Sequence, residues 1–210
     1  MKDIPVFTTD NGVASLILKE IPVRALAYVK LVASQNPEAL LGECVDFCRA
    51  CGAEAVYASG DPCLTAFPLV TVLVEMCACG LEPTDAAVFP VTEQTIGKWR
   101  QIYNERMADV PNAAYMTTQD EKKFLEDGNC YFVHRGGKLL GIGKAGGDTI
   151  ELVATAQPGA GRDVTLAMAS VLPEDRVRLT VARENERAIR LYERLGFRAV
   201  SELSRWYKIF

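Results

Sequence analysis

The segment NERAIRLYERLGF, residues 185–197, constrains the fold more than any other part of this chain. It follows the run VRLTVA, whose β-branched and apolar residues are typical of a buried strand. The side chain of Asn185 can accept a hydrogen bond from a first-turn N–H, and Gly196 favours a left-handed stop. Apolar residues recur between them at three- and four-residue spacings, namely Ile189, Leu191, Tyr192 and Leu195. The segment therefore predicts a strand followed directly by an amphipathic helix.

The same segment carries a family resemblance. Its pattern, Asn-x-x-Ala-Ile-x-Leu-Tyr-x-x-x-Gly-Phe, is formed by Asn185, Ala188, Ile189, Leu191, Tyr192, Gly196 and Phe197. This pattern resembles the last characteristic segment of the GNAT N-acetyltransferases, a superfamily that uses acetyl-CoA. The resemblance implies an α+β fold with a mixed sheet, the GNAT-like acyl-CoA N-acyltransferase fold. The alternative is an amphipathic C-terminal helix that only packs against a sheet.

Composition excludes several classes of function. The net charge of −4 argues against a protein that binds nucleic acid through bulk positive charge. The longest apolar run, AFPLVTVLV, is too short to span a bilayer and contains Pro68. The first residues, MKDIPVFTTD, lack the basic start and apolar run of a signal peptide. We therefore expect a cytoplasmic protein that binds neither nucleic acid nor membranes.

The chain has seven cysteines, which is an odd number without an export signal, so we expect reduced thiols. Cys44, Cys48 and Cys51 share one face of a predicted helix, and Cys77 and Cys79 follow later. Zinc is an alternative, but paired Cys-x-x-Cys units and a nearby histidine are missing. The pattern favours buried free thiols, including Cys130 in a predicted strand, and no metal.

The first half predicts a partial copy of the same fold. Residues 5–33 predict two or three antiparallel strands, and Asn36 with Pro37 begins a helix that runs to about Gly52. AVYAS predicts a buried strand, and FPLVTVLVEMCACG predicts a helix that ends at Gly80. Aligning AVYAS with RLTVA places Val74 at the position of Tyr192. We therefore predict that residues 1–88 form a degenerate GNAT-like module.

Residues 91–210 predict the complete catalytic domain. Thr92 begins a predicted helix that runs through Met107. One face of this helix either lines the acceptor side of the site or packs in the core, and it is formed by Trp99, Ile102, Tyr103 and Met107. Thr118 and Glu121 predict a capping box for a second helix that ends at Gly128. NCYFVHR, KLLGIGKA and DTIELVATA predict three strands joined by glycine turns. This order matches the core of the GNAT fold.

The sequence QPGAGRDVTLAMAS predicts a tight turn and then a helix. Gly159 and Gly161 permit close backbone approach, and the N-terminus of the helix can bind an anion such as a diphosphate. The family pattern expects Gln or Arg at Ala156, and Asp163 adds a negative charge in the first turn. Arg162 can compensate, since a guanidinium binds phosphate oxygens directly.

The resemblance implies a division of roles for the site residues. Backbone groups of Leu152, Val153 and Ala154 would bind the pantetheine arm of acetyl-CoA and polarise its thioester carbonyl. Tyr192 would donate a hydrogen bond to the leaving thiolate. The spacing leaves the general base open: Glu151 is the first candidate, His134 is the second, and a water chain that ends at a carboxylate is a further alternative. The cofactor-binding candidates are Leu152, Val153, Ala154, Gly159, Ala160, Gly161, Arg162, Asn185, Ala188 and Tyr192.

We therefore expect an acetyl-CoA-dependent N-acetyltransferase that acts on a primary amine of a small molecule or a peptide. The alternative is a GNAT-fold protein that binds acyl-CoA, or serves as a structural module, without catalysis. GNAT proteins often pair, so the resemblance favours a homodimer, although a tandem chain can cover its own sheet edge.

Overall fold

The computed structural model describes residues 5–108, Val110 and 113–210, and it divides the chain into two compact units. The first unit comprises Met1–Leu73 with Leu203–Phe210, and the second comprises Val74–Glu202. The first elements along the chain are β1 (Val6–Thr9), β2 (Gly12–Ile17), α1 (Ile21–Arg24), β3 (Leu26–Ser34), α2 (Pro37–Ala50), β4 (Ala55–Ser59), a 3₁₀ helix (Pro62–Ala66) and β5 (Leu69–Ala78). The later ones are β6 (Ala87–Pro90), α3 (Ile96–Met107), α4 (Thr118–Asp127), β7 (Cys130–Arg135), β8 (Lys138–Gly146), β9 (Thr149–Thr155), α5 (Gly161–Ser170), β10 (Val177–Ala182), α6 (Glu186–Arg194) and β11 (Arg198–Lys208).

The first unit contains an antiparallel meander and one parallel strand. β1, β2 and β3 pair antiparallel, and β4 pairs parallel with β3 from Leu26↔Ala55 to Lys30↔Ser59. Helix α2 connects the two parallel strands, and Asn36 caps it by accepting from the N–H of Ala39 at 3.2 Å, as the sequence predicted. The core includes Leu40, Cys44 and Cys48 of α2.

The second unit repeats this order of elements. β7, β8 and β9 form an antiparallel meander, α5 follows, and β10 pairs parallel with β9. The strand order in this unit is β5-β10-β9-β8-β7-β6. Trp99 of α3 is fully buried, and its indole N–H donates to the carbonyl of Tyr131 at 3.1 Å. The face of α3 that contains Trp99 and Ile102 is therefore core.

Residues 69–78 form a strand, so the predicted helix over FPLVTVLVEMCACG is wrong. From Val72 onward the even-numbered residues of β5 are buried and the odd-numbered ones are not, which is the period of a strand. Val74 lies on this strand, so its alignment with Tyr192 on a helix is also wrong. The degenerate GNAT-like first module stays a prediction, and the two units have bounds that differ from the predicted 1–88 and 91–210.

Two helix starts differ from the sequence prediction. The capping box of α4 is formed by Thr117 and Asp120, one residue earlier than the predicted Thr118 and Glu121. Asp120 accepts hydrogen bonds from the N–H and the hydroxyl of Thr117 at 2.7 and 2.8 Å. Helix α3 begins after Thr95, three residues later than the prediction that placed its start at Thr92.

The described cysteines are free thiols. Cys44, Cys48 and Cys130 are buried as predicted, whereas Cys51 and Cys79 are exposed, so the predicted burial is wrong for these two. Burial raises the pKa of Cys44 and of Cys130 to about 12, so both thiols stay protonated at neutral pH.

Within the described residues, no group of three or more His, Cys, Asp or Glu side chains is placed to hold a metal ion. The described helices also include none that is long and apolar enough to cross a membrane.

Candidate active site

A cavity of about 720 Å³ in the second unit lies at the carboxyl end of β9. Its walls come from β9, the turn before α5, the end of α3 and one face of α6. The predicted site residues that line it are Val153, Ala154, Gly159, Gly161, Arg162, Asn185, Ala188 and Tyr192. The structure therefore brings the strand, the glycine turn and the C-terminal helix together around one space.

β9 and β10 separate towards the carboxyl end of β9, where the cavity lies. Among the described residues, the two strands are paired only at Thr149↔Arg178 and Ile150↔Leu179. β9 continues to Thr155 and β10 continues to Ala182, but within the described residues these two strands do not pair with each other beyond those positions. In the first unit, by contrast, the parallel strands β3 and β4 stay paired over five positions. An open strand edge of this kind offers backbone hydrogen bonds to a ligand.

The direction of the free backbone groups follows from the pairing of β9 with β8. The N–H of Ala156 donates to the carbonyl of Leu140 at 2.8 Å, and Ala154 is paired with Ile142 two residues earlier. Because peptide groups alternate along an antiparallel ladder, the N–H and C=O of Val153 and Thr155 point away from β8. Val153 and Thr155 therefore present the open edge. The backbone groups of Leu152 and Ala154 point to β8 instead, so their predicted contact with the pantetheine arm is wrong, and the sequence prediction had not included Thr155.

The candidate base Glu151 lies at a β-bulge. Ile150 pairs with Ala145 and Leu152 pairs with Lys144, so Glu151 is an extra residue on β9. Its carboxylate accepts from the ammonium of Lys144 at 2.6 Å and from the amide of Asn129 at 3.1 Å. Glu151 does not line the cavity. The structure therefore does not bring this carboxylate to Tyr192.

Three other candidates also lie outside the cavity lining. Leu152 packs against the core cluster around Trp99, and Ala160 is buried as the N-cap residue of α5. His134 lines a separate groove of about 370 Å³ and contacts the ring of Phe89, with ring centroids 5.3 Å apart. The imidazole is therefore not available to a substrate in the cavity.

The glycine turn approaches α6 closely. Gly159 has a φ of 83°, a backbone conformation that residues with a Cβ rarely adopt. A Cβ on Gly161 would lie 2.7 Å from Cδ2 of Leu191, so any other residue at this position would require the Leu191 side chain to shift. Asp163 in the first turn of α5 is paired with Arg135 at 2.7 Å, which offsets its negative charge. The N-terminus of α5 thus remains suited to an anion.

Among the residues that the structure describes, four arginines line the cavity, although the chain has a net charge of −4. Arg162 belongs to α5, Arg106 to α3, and Arg187 and Arg194 to α6. Arg106 donates to the carbonyl of Ala156 at 3.3 Å, directly after β9. Sequence reasoning missed Arg106, Arg187 and Arg194, because the spacing of charged residues on a helix does not show which of them face a cavity. Together they make the cavity suitable for a polyanionic ligand.

Tyr192 of α6 and Asn185, the residue before α6, both line the cavity. Burial raises the pKa of the Tyr192 hydroxyl to about 12, so this group stays protonated and can donate a hydrogen bond. Asn185 caps α6, with its Oδ1 accepting from the N–H of Ala188 at 3.1 Å, which confirms the predicted cap. Its amide N–H₂ is left to contact a ligand.

The comparisons with known proteins agree with this geometry at the level of the fold. No protein-family model and no curated protein matches the sequence. A functionally unknown conserved protein from Staphylococcus epidermidis superimposes with a TM-score of 0.64 at 13% identity, over 98% of this chain and 93% of that chain. A GCN5-related N-acetyltransferase from Sphaerobacter thermophilus superimposes with a TM-score of 0.59 at 12% identity, over 93% of this chain and 75% of that chain. The chain has the GNAT fold.

A tandem GNAT protein from the clavulanic acid biosynthesis pathway also resembles this GNAT-fold chain. Its TM-score is 0.54 at 13% identity, over 94% of this chain and 78% of that chain. The resemblance predicted from residues 185–197 is thus confirmed as a likeness of fold, with an α+β mixed sheet. Since the identities are low, the activity of this chain is argued from its own cavity.

Proposed function

We propose that this protein is an N-acetyltransferase that transfers the acetyl group of acetyl-CoA to a primary amine. The observation that carries the proposal is the open edge of β9, where the backbone groups of Val153 and Thr155 face a cavity lined by Tyr192. The arginines in the same cavity are opposite in charge to the phosphates of coenzyme A, and the backbone N–H groups at the glycine turn can donate hydrogen bonds to them. A pantetheine arm could add to the open edge through its own amides.

The chain's own residues would act on the thioester as follows. The N–H groups at the open edge of β9 polarise the thioester carbonyl and stabilise the oxyanion that develops during attack. The neutral amine attacks the carbonyl carbon, so a C–N bond forms and the C–S bond breaks. Tyr192 donates its hydrogen bond to the departing sulfur, whose reference thiol pKa of about 8.5 makes it a modest base. Overall the amine loses one proton and the thiol gains one.

Removal of the amine's proton does not require Glu151 in this mechanism. None of the described residues that line the cavity is a carboxylate or a histidine. In this proposal water takes up the proton, and the amine reacts in its neutral form. The acceptor remains a primary amine of a small molecule or a peptide, and the cytoplasmic location and the homodimer remain predictions.

Binding of acetyl-CoA tests the proposed function first. A ligand at about 100 times its dissociation constant stabilises a protein by about 2.7 kcal/mol, which raises the thermal midpoint by roughly 5–10 °C for a chain of this size. We expect this shift with acetyl-CoA and with coenzyme A, and no shift with free pantothenate, which lacks the phosphates and the thiol.

Turnover then distinguishes an enzyme from a binding module. We expect release of free coenzyme A thiol from acetyl-CoA in the presence of at least one amine of a panel that contains α-amines and alkylamines. Absence of a thermal shift with either cofactor would refute the proposal. A shift without turnover on any amine would favour the alternative, a GNAT-fold protein that binds acyl-CoA without catalysis.

A further inference from the structure

One of the cavity arginines already has a carboxylate as its partner. Nη2 of Arg162 lies 2.6 Å from Oε2 of Glu82. Glu82 belongs to the segment between β5 and β6, and 79% of its side chain is exposed to solvent. Arg162 lies in the first turn of α5, where the backbone N–H groups and the helix dipole also favour an anion. A side-chain carboxylate thus binds the arginine that lies nearest to the N-terminus of α5.

No other carboxylate of the second unit pairs as closely with Arg162 among the described residues. Asp163 is 3.9 Å from Nη1 of Arg162, but the same carboxylate oxygen lies 2.7 Å from Nη2 of Arg135. Arg135 in turn is 2.6 Å from Asp85, in the same segment as Glu82. The segment therefore places one carboxylate on the cavity arginine and another on an arginine outside the cavity lining.

We propose that Glu82 is an affinity-determining residue of the cofactor site, because its carboxylate occupies the guanidinium that the diphosphate of coenzyme A requires. This inference rests on the proposed function. A diphosphate that binds at the N-terminus of α5 must displace Glu82 from Arg162 or share the guanidinium with it. Both arrangements weaken binding, since the first breaks an ion pair and the second holds like charges close together.

The consequence is selectivity for strong anions. A ligand with a single weak negative charge gains little by replacing an ion pair that already exists. A diphosphate with two charges and several acceptor oxygens gains more, since it can bind the guanidinium and the helix N–H groups at once. Glu82 thus lowers the affinity for every anion at this position, but it leaves polyphosphates as the ligands that still bind.

The test compares Glu82→Gln with wild type by isothermal titration with coenzyme A at low salt. We expect Glu82→Gln to bind coenzyme A about 3- to 10-fold more tightly, and the difference to shrink in 0.5 M salt because exposed charges are screened. Asp85→Asn is the matched control, since it removes a carboxylate of the same segment that pairs with Arg135. We expect less than a twofold change for this variant.

The double variant separates competition at Arg162 from a general change in charge. In an Arg162→Gln background, Glu82→Gln is expected to change the affinity for coenzyme A by less than twofold. An equal gain in both backgrounds would overturn the proposal, and so would weaker binding by Glu82→Gln in the wild-type background. Thermal midpoints of all variants serve as the folding control. We expect them to stay close to that of wild type, since Glu82 and Asp85 are exposed.

Inorganic pyrophosphate serves as the second probe because it carries the diphosphate without the rest of the cofactor. Failure of wild type to bind coenzyme A would refute the proposed function, whereas the effect of Glu82 could still be measured with pyrophosphate. If both ligands bind and Glu82→Gln changes neither affinity, the proposed function stands and the inference about Glu82 fails. The two claims are therefore tested separately.

Discussion

Tyr192→Phe is expected to lower kcat for acetyl transfer by about 100-fold, with little change in the dissociation constant of acetyl-CoA. The hydroxyl would act on the departing sulfur during the reaction, and a positioned proton donor contributes about 10²–10⁴-fold to rate. Removal of one oxygen leaves the aromatic ring and its contact with Phe197, at 5.8 Å between centroids, in place. The effect should therefore appear in kcat rather than in binding.

The pH dependence of the rate adds a second readout for Tyr192. Since burial raises its pKa to about 12, the hydroxyl stays protonated throughout the range from pH 6 to 9. The rate of wild type and of Tyr192→Phe should then rise in parallel with pH as the amine substrate loses its proton. Tyr57→Phe, on β4 in the first unit, is the control and should keep the wild-type kcat. Unchanged turnover in Tyr192→Phe would remove this residue from the mechanism.

Gly141→Ala is expected to destabilise the protein by about 2–3 kcal/mol. A Cβ at Gly141 on β8 would lie 2.4 Å from the carbonyl oxygen of Ala154 and 2.9 Å from Cγ2 of Val164. The nearest obstacle is backbone of the paired strand β9, which cannot rotate away as a flexible side chain can. The added methyl group would push both β9 and α5 away from β8. Because both elements line the cavity, binding of acetyl-CoA should weaken as well.

Gly97→Ala is the matched control for Gly141→Ala in the same unit. Gly97 lies in α3, where a Cβ would meet only Oε1 of Glu121 at 4.0 Å. Because alanine favours helix, we expect this variant to be more stable by roughly 0.5 kcal/mol. Urea unfolding monitored by circular dichroism measures both changes. Equal stability of the two variants would contradict the packing of β8 against β9 described above.

The C-terminal helix could be predicted from sequence because its signals are local. The cap at Asn185, the spacing of the apolar residues and the left-handed Gly196 each act within a few residues. β5 was predicted wrongly because apolar residues occur at both odd and even positions of LVTVLVEMCA, so its period of two is hidden. Its conformation is set by strand pairing, which involves residues far away in the sequence.

The site was predictable in its position and not in its details. Val153, Ala154, Gly159 and Gly161 were predicted as site residues, and all four line the cavity. The assignment of the free backbone groups to Val153 and Thr155 depends on the pairing of β9 with β8, which the sequence does not show. The bulge that directs Glu151 to Lys144 depends on the same pairing. Such details come from contacts between strands, and a single strand carries no signal for them.

Amide hydrogen exchange, measured residue by residue by NMR, tests most directly whether β9 has an open edge that binds coenzyme A. In the free protein we predict rapid exchange for the N–H groups of Val153 and Thr155 and slow exchange for that of Ala154, which is directed to β8. Added coenzyme A should slow exchange at Val153 and Thr155 and leave Ala154 unchanged. Equal protection of all three amides in the free protein, or no response of Val153 and Thr155 to saturating coenzyme A, would contradict this account.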